Sequence, residues 1–182
     1  MRILYTPNDG LVILEPRIFH DTRGDLYESY NQQKMSELGI DTIFVQDNQS
    51  YSQKGVIRGL HFQRPPFAQA KLVRVIKGKV LDVAVDIRKG SPTYGQHYSV
   101  LLTGDNHRQF FIPEGFAHGF VALEDNSIFT YKCSQFYHKE AEMSIRYNDP
   151  ILNIDWGLDE TPIMTEKDLC GVLFDQFNTP FE

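Results

Sequence analysis

The chain is cut into short apolar runs. Gly, Pro, Asn or Asp breaks the sequence about every 8 to 12 residues, a spacing that suits short strands joined by tight turns and leaves little room for long helices. Leu11 to Glu15 reads as a strand stopped by Pro16, and a second piece is broken at Gly24 and resumes from Asp25 to Tyr30. Thr42 to Gln49 is rich in β-formers, and Val56 to Gln63 runs until Pro65-Pro66 ends it. Lys71 to Ile76 and Val80 to Ile87 flank Lys77-Gly78-Lys79, which predicts a hairpin. His97 to Thr103 and Gln109 to Ile112 follow, separated by Gly104-Asp105-Asn106. Phe116 to Leu123 and Ser127 to Cys133 are expected to pair across Glu124-Asp125-Asn126. Helix is expected only over Gln32 to Leu38, stopped by Gly39, and near Glu166 to Cys170 with Thr165 as N-cap. About ten strands and so little helix predict an all-β fold, an antiparallel jelly roll or barrel with a few short helices.

The 182 residues suit one domain, 1–182, large enough to build a core without staples. A net charge of -6 lacks the electrostatic footprint of a general nucleic-acid binder, although a local basic site for one phosphate group is compatible with it. Cys133 and Cys170 form no CxxC motif and no disulfide framework, so they are expected as reduced, buried thiols of an intracellular protein. No apolar run reaches the roughly 18 residues of a membrane span, and MRILYTPNDG does not read as a signal peptide. The expected setting is cytoplasmic, with neither membrane nor nucleic acid as a partner.

Chemistry concentrates first in Arg58-Gly59-Leu60-His61-Phe62-Gln63. Strand alternation puts Gly59, His61 and Gln63 on one face and Arg58, Leu60 and Phe62 on the other. Gly59 beside His61 is expected to leave open space for a ligand, and Arg58 reaches the same pocket only if the strand bulges at Gly59. Pro113-Glu114-Gly115-Phe116-Ala117-His118-Gly119-Phe120 resembles the second motif of the cupin superfamily, small β-barrels open at one end. Cupins place two histidines and a glutamate in their first motif as metal ligands. Here the matching stretch is His61-Phe62-Gln63, with no nearby Glu. Two separated histidines and an amide hold a divalent metal poorly, so the expectation is no metal and no cofactor.

Lys71 alternates with Val73 and Val75, which turns it toward a core or pocket, where an ammonium requires an anion. Asp82 and Asp86 share a face with Ala84; turned inward, a carboxylate there would hold Lys71, and turned outward it would be a solvated charge. By residue type alone Tyr131 reads equally as half-buried packing, and Asp168 as an exposed residue at a helix start.

Seven motifs, in order, carry a more specific resemblance. They are Phe19-His20-Asp21-Thr22-Arg23-Gly24, Phe44-Val45-Gln46-Asp47-Asn48, Arg58 to Gln63, Ala70-Lys71-Leu72-Val73, Ile112 to Phe120, Tyr131-Lys132 and Glu166-Lys167-Asp168. From about Leu11 to Asp168 the chain resembles the dTDP-4-dehydrorhamnose 3,5-epimerases, metal-free members of the cupin superfamily. The resemblance implies a cupin-type jelly roll that inverts C3 and C5 of dTDP-4-dehydro-6-deoxy-D-glucose, both next to the C4 ketone, on the route to activated rhamnose. It implies His61 as general base with Asp168 as its partner, Tyr131 as the acid on the opposite face, and Lys71 against the enolate oxygen. It places Arg23, Glu28, Gln46, Asp47, Asn48, Arg58, His118, Glu142 and Lys167 on the substrate, with Tyr137 stacked on thymine. It further implies a homodimer in which an N-terminal segment reaches the partner's barrel, so that Arg23 and Glu28 serve the neighbouring site.

Three other readings compete. An epimerase of a related dTDP-4-keto sugar that inverts only C3, or only C5, would use the same acid and base. A metal-dependent cupin such as a dioxygenase is opposed by Gln63. A module that only binds sugar nucleotides would have no use for an opposed acid and base.

Overall fold

The computed structural model describes residues 1–7 and 10–182. It is almost entirely antiparallel β. In chain order the strands are β1 Arg2–Tyr5, β2 Val12–Glu15, β3 Ile18–Asp21, β4 Gly24–Tyr27, β5 Gln46–Ser52, β6 Ile57–Gln63, β7 Lys71–Lys77, β8 Lys79–Asp86, β9 His97–Thr103, β10 Gln109–Ile112, β11 Phe116–Ala122, β12 Ser127–Cys133 and β13 Glu142–Ser144. A six-stranded sheet runs β1-β2-β10-β7-β12-β5, a five-stranded sheet runs β13-β6-β11-β8-β9, and β3 and β4 form a separate hairpin. The two large sheets face each other as a jelly roll, the expected architecture.

The layers follow from the side chains. Between the sheets lie Val73 and Val75 from β7, Ala84 from β8, Phe110 and Ile112 from β10, Phe120 from β11 and Phe129 from β12. The opposite face of the five-stranded sheet presents Leu60, Phe62, Val83, Val85, Ala117 and Val121, and the irregular C-terminal segment covers it with Ile145, Leu152, Trp156 and Phe177. That second cover explains why every residue of β11 is buried rather than alternating. The outer face of the six-stranded sheet is capped by α1 (Gln32–Glu37), whose Met35 packs with Leu14, Leu72 and Phe111. Asn31 caps α1 by accepting the Lys34 N–H, and the chain leaves it through Gly39 at φ +82.

Local signals located elements better than partners. β9 and β10 occupy the expected residues, and α2 (Glu166–Leu169) starts at Thr165 as expected. The Lys77-Gly78-Lys79 turn does not close a hairpin, because β7 belongs to the six-stranded sheet and β8 to the five-stranded one. Gly78 turns the chain from one sheet to the other with φ +82, against Ser127, where a Cβ would lie 2.4 Å from Oγ. β11 and β12 likewise fall in different sheets and do not pair across Glu124-Asp125-Asn126. The expected strand over Thr42 to Gln49 begins only at Gln46 and continues to Ser52. Of the two cysteines Cys133 is buried, but Cys170 is exposed, contrary to expectation. No helix among the described residues is long and apolar enough to cross a membrane.

Candidate active site

Two adjoining cavities of about 320 and 360 Å³ open between the large sheets, and both are walled by Asn48, His61, Lys71, Tyr131 and Glu142. His61 comes from β6 in the five-stranded sheet, whereas Lys71 and Tyr131 come from β7 and β12 in the six-stranded sheet.

β6 reaches the cavity through an irregular register. His61 pairs with His118 and Arg58 with Phe120, so three steps on β6 oppose two on β11. This is the bulge that Arg58 needed, and Arg58 and His61 line the same cavity. Gly59 does not leave open space as expected. A Cβ there would lie 2.4 Å from the Gly119 Cα, so Gly59 serves the close approach of β6 to β11.

His61 Nε2 lies 2.6 Å from Asp168 Oδ1. Asp168 is not the exposed residue its position suggests by type; it is buried on the one-turn helix α2. Thr165 Oγ1 accepts the Asp168 N–H at 3.3 Å, which fixes the turn that carries the carboxylate. Burial raises the Asp168 pKa, but the bond to His61, the His61 charge, Thr165 and Lys167 together outweigh it and hold the carboxyl below its ordinary range.

Lys71 is buried, and among the described residues Nζ hydrogen-bonds only to the His61 carbonyl, at 3.5 Å. Burial pushes its pKa down. Of the two placements open to Asp82 the inward one is found, but its oxygens lie 3.0 and 2.9 Å from His118 Nε2 rather than on Lys71. Asp86 is committed to Arg88, Ser91 and Thr93. Burial also pushes the Tyr131 hydroxyl up, so it stays protonated through neutrality. Tyr131 and Lys71 thus offer a proton donor and a cation from one sheet, opposite a carboxylate-backed imidazole on the other.

Around them, the Tyr137 hydroxyl donates to Glu142 Oε2 at 2.7 Å, and the Tyr137 N–H donates to Gln46 Oε1 at 2.9 Å. Lys167 also donates to Glu142. Those bonds hold the Glu142 carboxyl low, although burial opposes them. Gln46, Asn48, Tyr137 and Glu142 wall the first cavity, and Arg58, His118 and Asp168 wall the second. Lys167 stands at the rim through Glu142. Asp47 points to the other side of β5, where it pairs with Lys132 at 2.7 Å. Arg23 and Glu28 are not brought to these cavities either. Arg23 sits beside the β3–β4 turn bonded to Asp21, with its side chain 87% exposed, and Glu28 pairs with Lys34 at 2.8 Å.

The donor set does not fit a resident metal ion. His61 and His118 each give Nε2 to a carboxylate and keep only Nδ1 as a metal donor. Gln63 braces two loops, donating to the Phe67 and Phe136 carbonyls and accepting the His138 N–H. Among the described residues no three His, Cys, Asp or Glu side chains gather as a ligand cluster. Two features of the site escaped the sequence reading, the His118–Asp82 pair and the Cys133 thiol in the cavity wall. Cys133 was findable, since it shares a strand face with Tyr131.

Residues 5–176 match the family model described as dTDP-4-dehydrorhamnose 3,5-epimerase. The chain is 50% identical over 177 residues to the Salmonella typhimurium protein of that name, covering 97% of each. It is also 50% identical over 169 residues to the one from Methanothermobacter thermautotrophicus, covering 92% of this chain and 91% of that one. Its fold superposes, with a TM-score of 0.93 and 52% identity over 97% of this chain and 94% of the other, on the Legionella pneumophila dTDP-6-deoxy-D-glucose-3,5-epimerase solved with dTDP-4-keto-L-rhamnose. With nearly the whole length matched, the chain belongs to the dTDP-4-dehydrorhamnose 3,5-epimerase family.

Proposed function

We propose that this protein inverts C3 and C5 of dTDP-4-dehydro-6-deoxy-D-glucose, giving dTDP-4-dehydro-L-rhamnose, by proton removal and return through an enolate. One observation carries the reading: an imidazole backed by a buried carboxylate and a protonated phenol enter the same cavity from opposite sheets. Inversion next to a ketone requires a base on one face of the ring and an acid on the other.

The Asp168 carboxylate only accepts, so His61 carries its proton on Nε2 and presents Nδ1 as the base. A positioned base contributes about 10²–10⁴-fold. When Nδ1 takes the proton from C3 or C5, Asp168 stabilises the imidazolium that forms. The electron pair moves to the C4 oxygen, and the Lys71 ammonium meets that charge; a single lost oxyanion donor costs about 3–4 kcal/mol. Tyr131 then delivers its proton to the carbon from the far side; solvent restores the phenol and takes the proton from the His61 imidazolium, which readies both groups for the second carbon. Arg58 supplies the planar donor set that a pyrophosphate takes. The half-exposed Tyr137 ring at the mouth offers a face for thymine.

The assembly in this reading is a homodimer. Arg23 and Glu28 do not reach their own cavity, and the Arg23 side chain is 87% exposed, which leaves it free to serve a neighbour's cavity. Incubation with the substrate in heavy water tests the function. Product with inverted configuration and deuterium at both C3 and C5 supports the double inversion. Label and inversion at one carbon alone would make the protein a single-site epimerase.

A further inference from the structure

Asp82 lies on β8 with no solvent exposure, on the face that looks between the sheets, and nothing in the mechanism above uses it. Both its oxygens face His118 Nε2. An ionised carboxylate only accepts, so Nε2 carries the proton of that bond. Burial pushes the His118 pKa down against the pull of Asp82, which favours the neutral imidazole with its lone pair on Nδ1. That Nδ1 bonds to nothing among the described residues and is not sealed off, and His118 lines the 360 Å³ cavity.

A neutral imidazole leaves the charge of Asp82 uncancelled. Lys71 is the group that needs it. Facing Lys71 are Asp82 from β8, His118 from β11, Cys133 and Tyr131 from β12, Glu142 from β13 and the His61 carbonyl from β6. Burial pushes both the Cys133 thiol and the Tyr131 phenol up, so neither is an anion near neutrality. Glu142 is already bonded to Lys167 and Tyr137. Among the described residues that face Lys71, Asp82 is left as the buried carboxylate bonded to no Lys or Arg.

We infer that Asp82 is a positioning residue for the reaction: it holds His118 as the neutral Nε2–H imidazole, with Nδ1 open to a hydroxyl of the sugar, and keeps its own charge available to the Lys71 ammonium. The inference rests on the role given to Lys71 above. It makes His118 an acceptor for a hydroxyl rather than a cation for a phosphate.

The test uses the intact protein without substrate, with ¹⁵N-histidine and ¹³Cε-lysine labels. The His118 and Lys71 signals are assigned from His118→Gln and Lys71→Met spectra. His118 is expected as the Nε2–H tautomer from about pH 6 to 8. Asp82→Asn keeps the size of the side chain and an acceptor for Nε2 while removing the charge. In that variant the Lys71 titration midpoint should fall by about one pH unit or more. The alkaline limb of kcat should move with it, while KM stays within about threefold. A Nδ1–H tautomer or an imidazolium at His118 in the unmutated protein overturns the inference even if Asp82→Asn does not fold. An unmoved Lys71 midpoint in a folded variant overturns it as well. Neither the His118 tautomer nor the Lys71 midpoint needs turnover, so a protein that fails to epimerise would refute the proposed function without touching these two results.

Discussion

Replacing Gly59 with Ala should damage catalysis from two residues away, without touching substrate. The new Cβ would meet the Gly119 Cα at 2.4 Å, and ordinary contact begins at 3.4 Å, so β6 and β11 must separate locally by 3.4 − 2.4 = 1.0 Å. His61 and His118 are register partners on those two strands, so the separation falls on the base. A misplacement of about 1 Å costs on the order of 10²-fold in rate. Stability suffers too. Overpacking costs about 1–3 kcal/mol, and a side chain at φ +132 adds about 1–2 kcal/mol. The sum, about 2–5 kcal/mol, lowers Tm by about 4–20 °C for a chain of this size. Gly55→Ala is the control: φ is +84, but nothing lies within 4 Å of its Cβ, so it carries strain without displacement. The assay is the rate of deuterium entry into the sugar, paired with thermal melts. Gly59→Ala within threefold of the parent rate, or Gly55→Ala equally impaired, would refute the reasoning.

Asp168→Asn should lower kcat by about 10- to 150-fold, the equivalent of a charge-assisted hydrogen bond of about 1.5–3 kcal/mol; a loss under threefold in progress curves would contradict the pairing with His61. Dialysis against a chelator should leave the rate unchanged, because no three His, Cys, Asp or Glu side chains gather among the described residues and the Gln63 amide is bonded within the protein; activity lost and then restored by one divalent ion would contradict this. Asp86 should contribute to acid stability. Burial raises its pKa, but bonds from Arg88, Ser91 and Thr93 win and hold it below 3.8. Its folded pKa is therefore below its unfolded one, so its stabilisation is complete above the unfolded value and is lost as pH falls through the folded one. Asp86→Asn should flatten that part of an acid-unfolding curve, and an unchanged slope would show the carboxylate to be idle.

What the sequence revealed depended on how local the information was. The residues of β9 and β10, the end of α1 at Gly39 and the Thr165 cap were readable because each rests on neighbours along the chain. The partners of β7 and β11 were not, since a tight turn between two apolar runs looks the same whether the chain doubles back or crosses to a facing sheet. Period-two alternation turned Lys71 inward and put Asp82 on one face with Ala84, but it left the side of that face open and could not give Asp82 to His118, 36 residues on. The His61–Asp168 pair spans 107 residues and came only from the resemblance. Gly59 was read as open space because a missing side chain and a close backbone leave the same mark in a sequence.

The central claim is that base and acid stand on opposite faces of the sugar, and Tyr131→Phe in heavy water tests it most directly. The change removes one hydroxyl and keeps the ring that packs 6.0 Å from Phe129. His61 can still take a proton and return a deuteron from its own side. Recovered starting sugar should therefore carry deuterium at C3 and C5 with unchanged configuration, while inverted product is formed at a small fraction of the unmutated rate. Inverted product at the full rate would contradict the account and assign proton delivery to a group other than Tyr131.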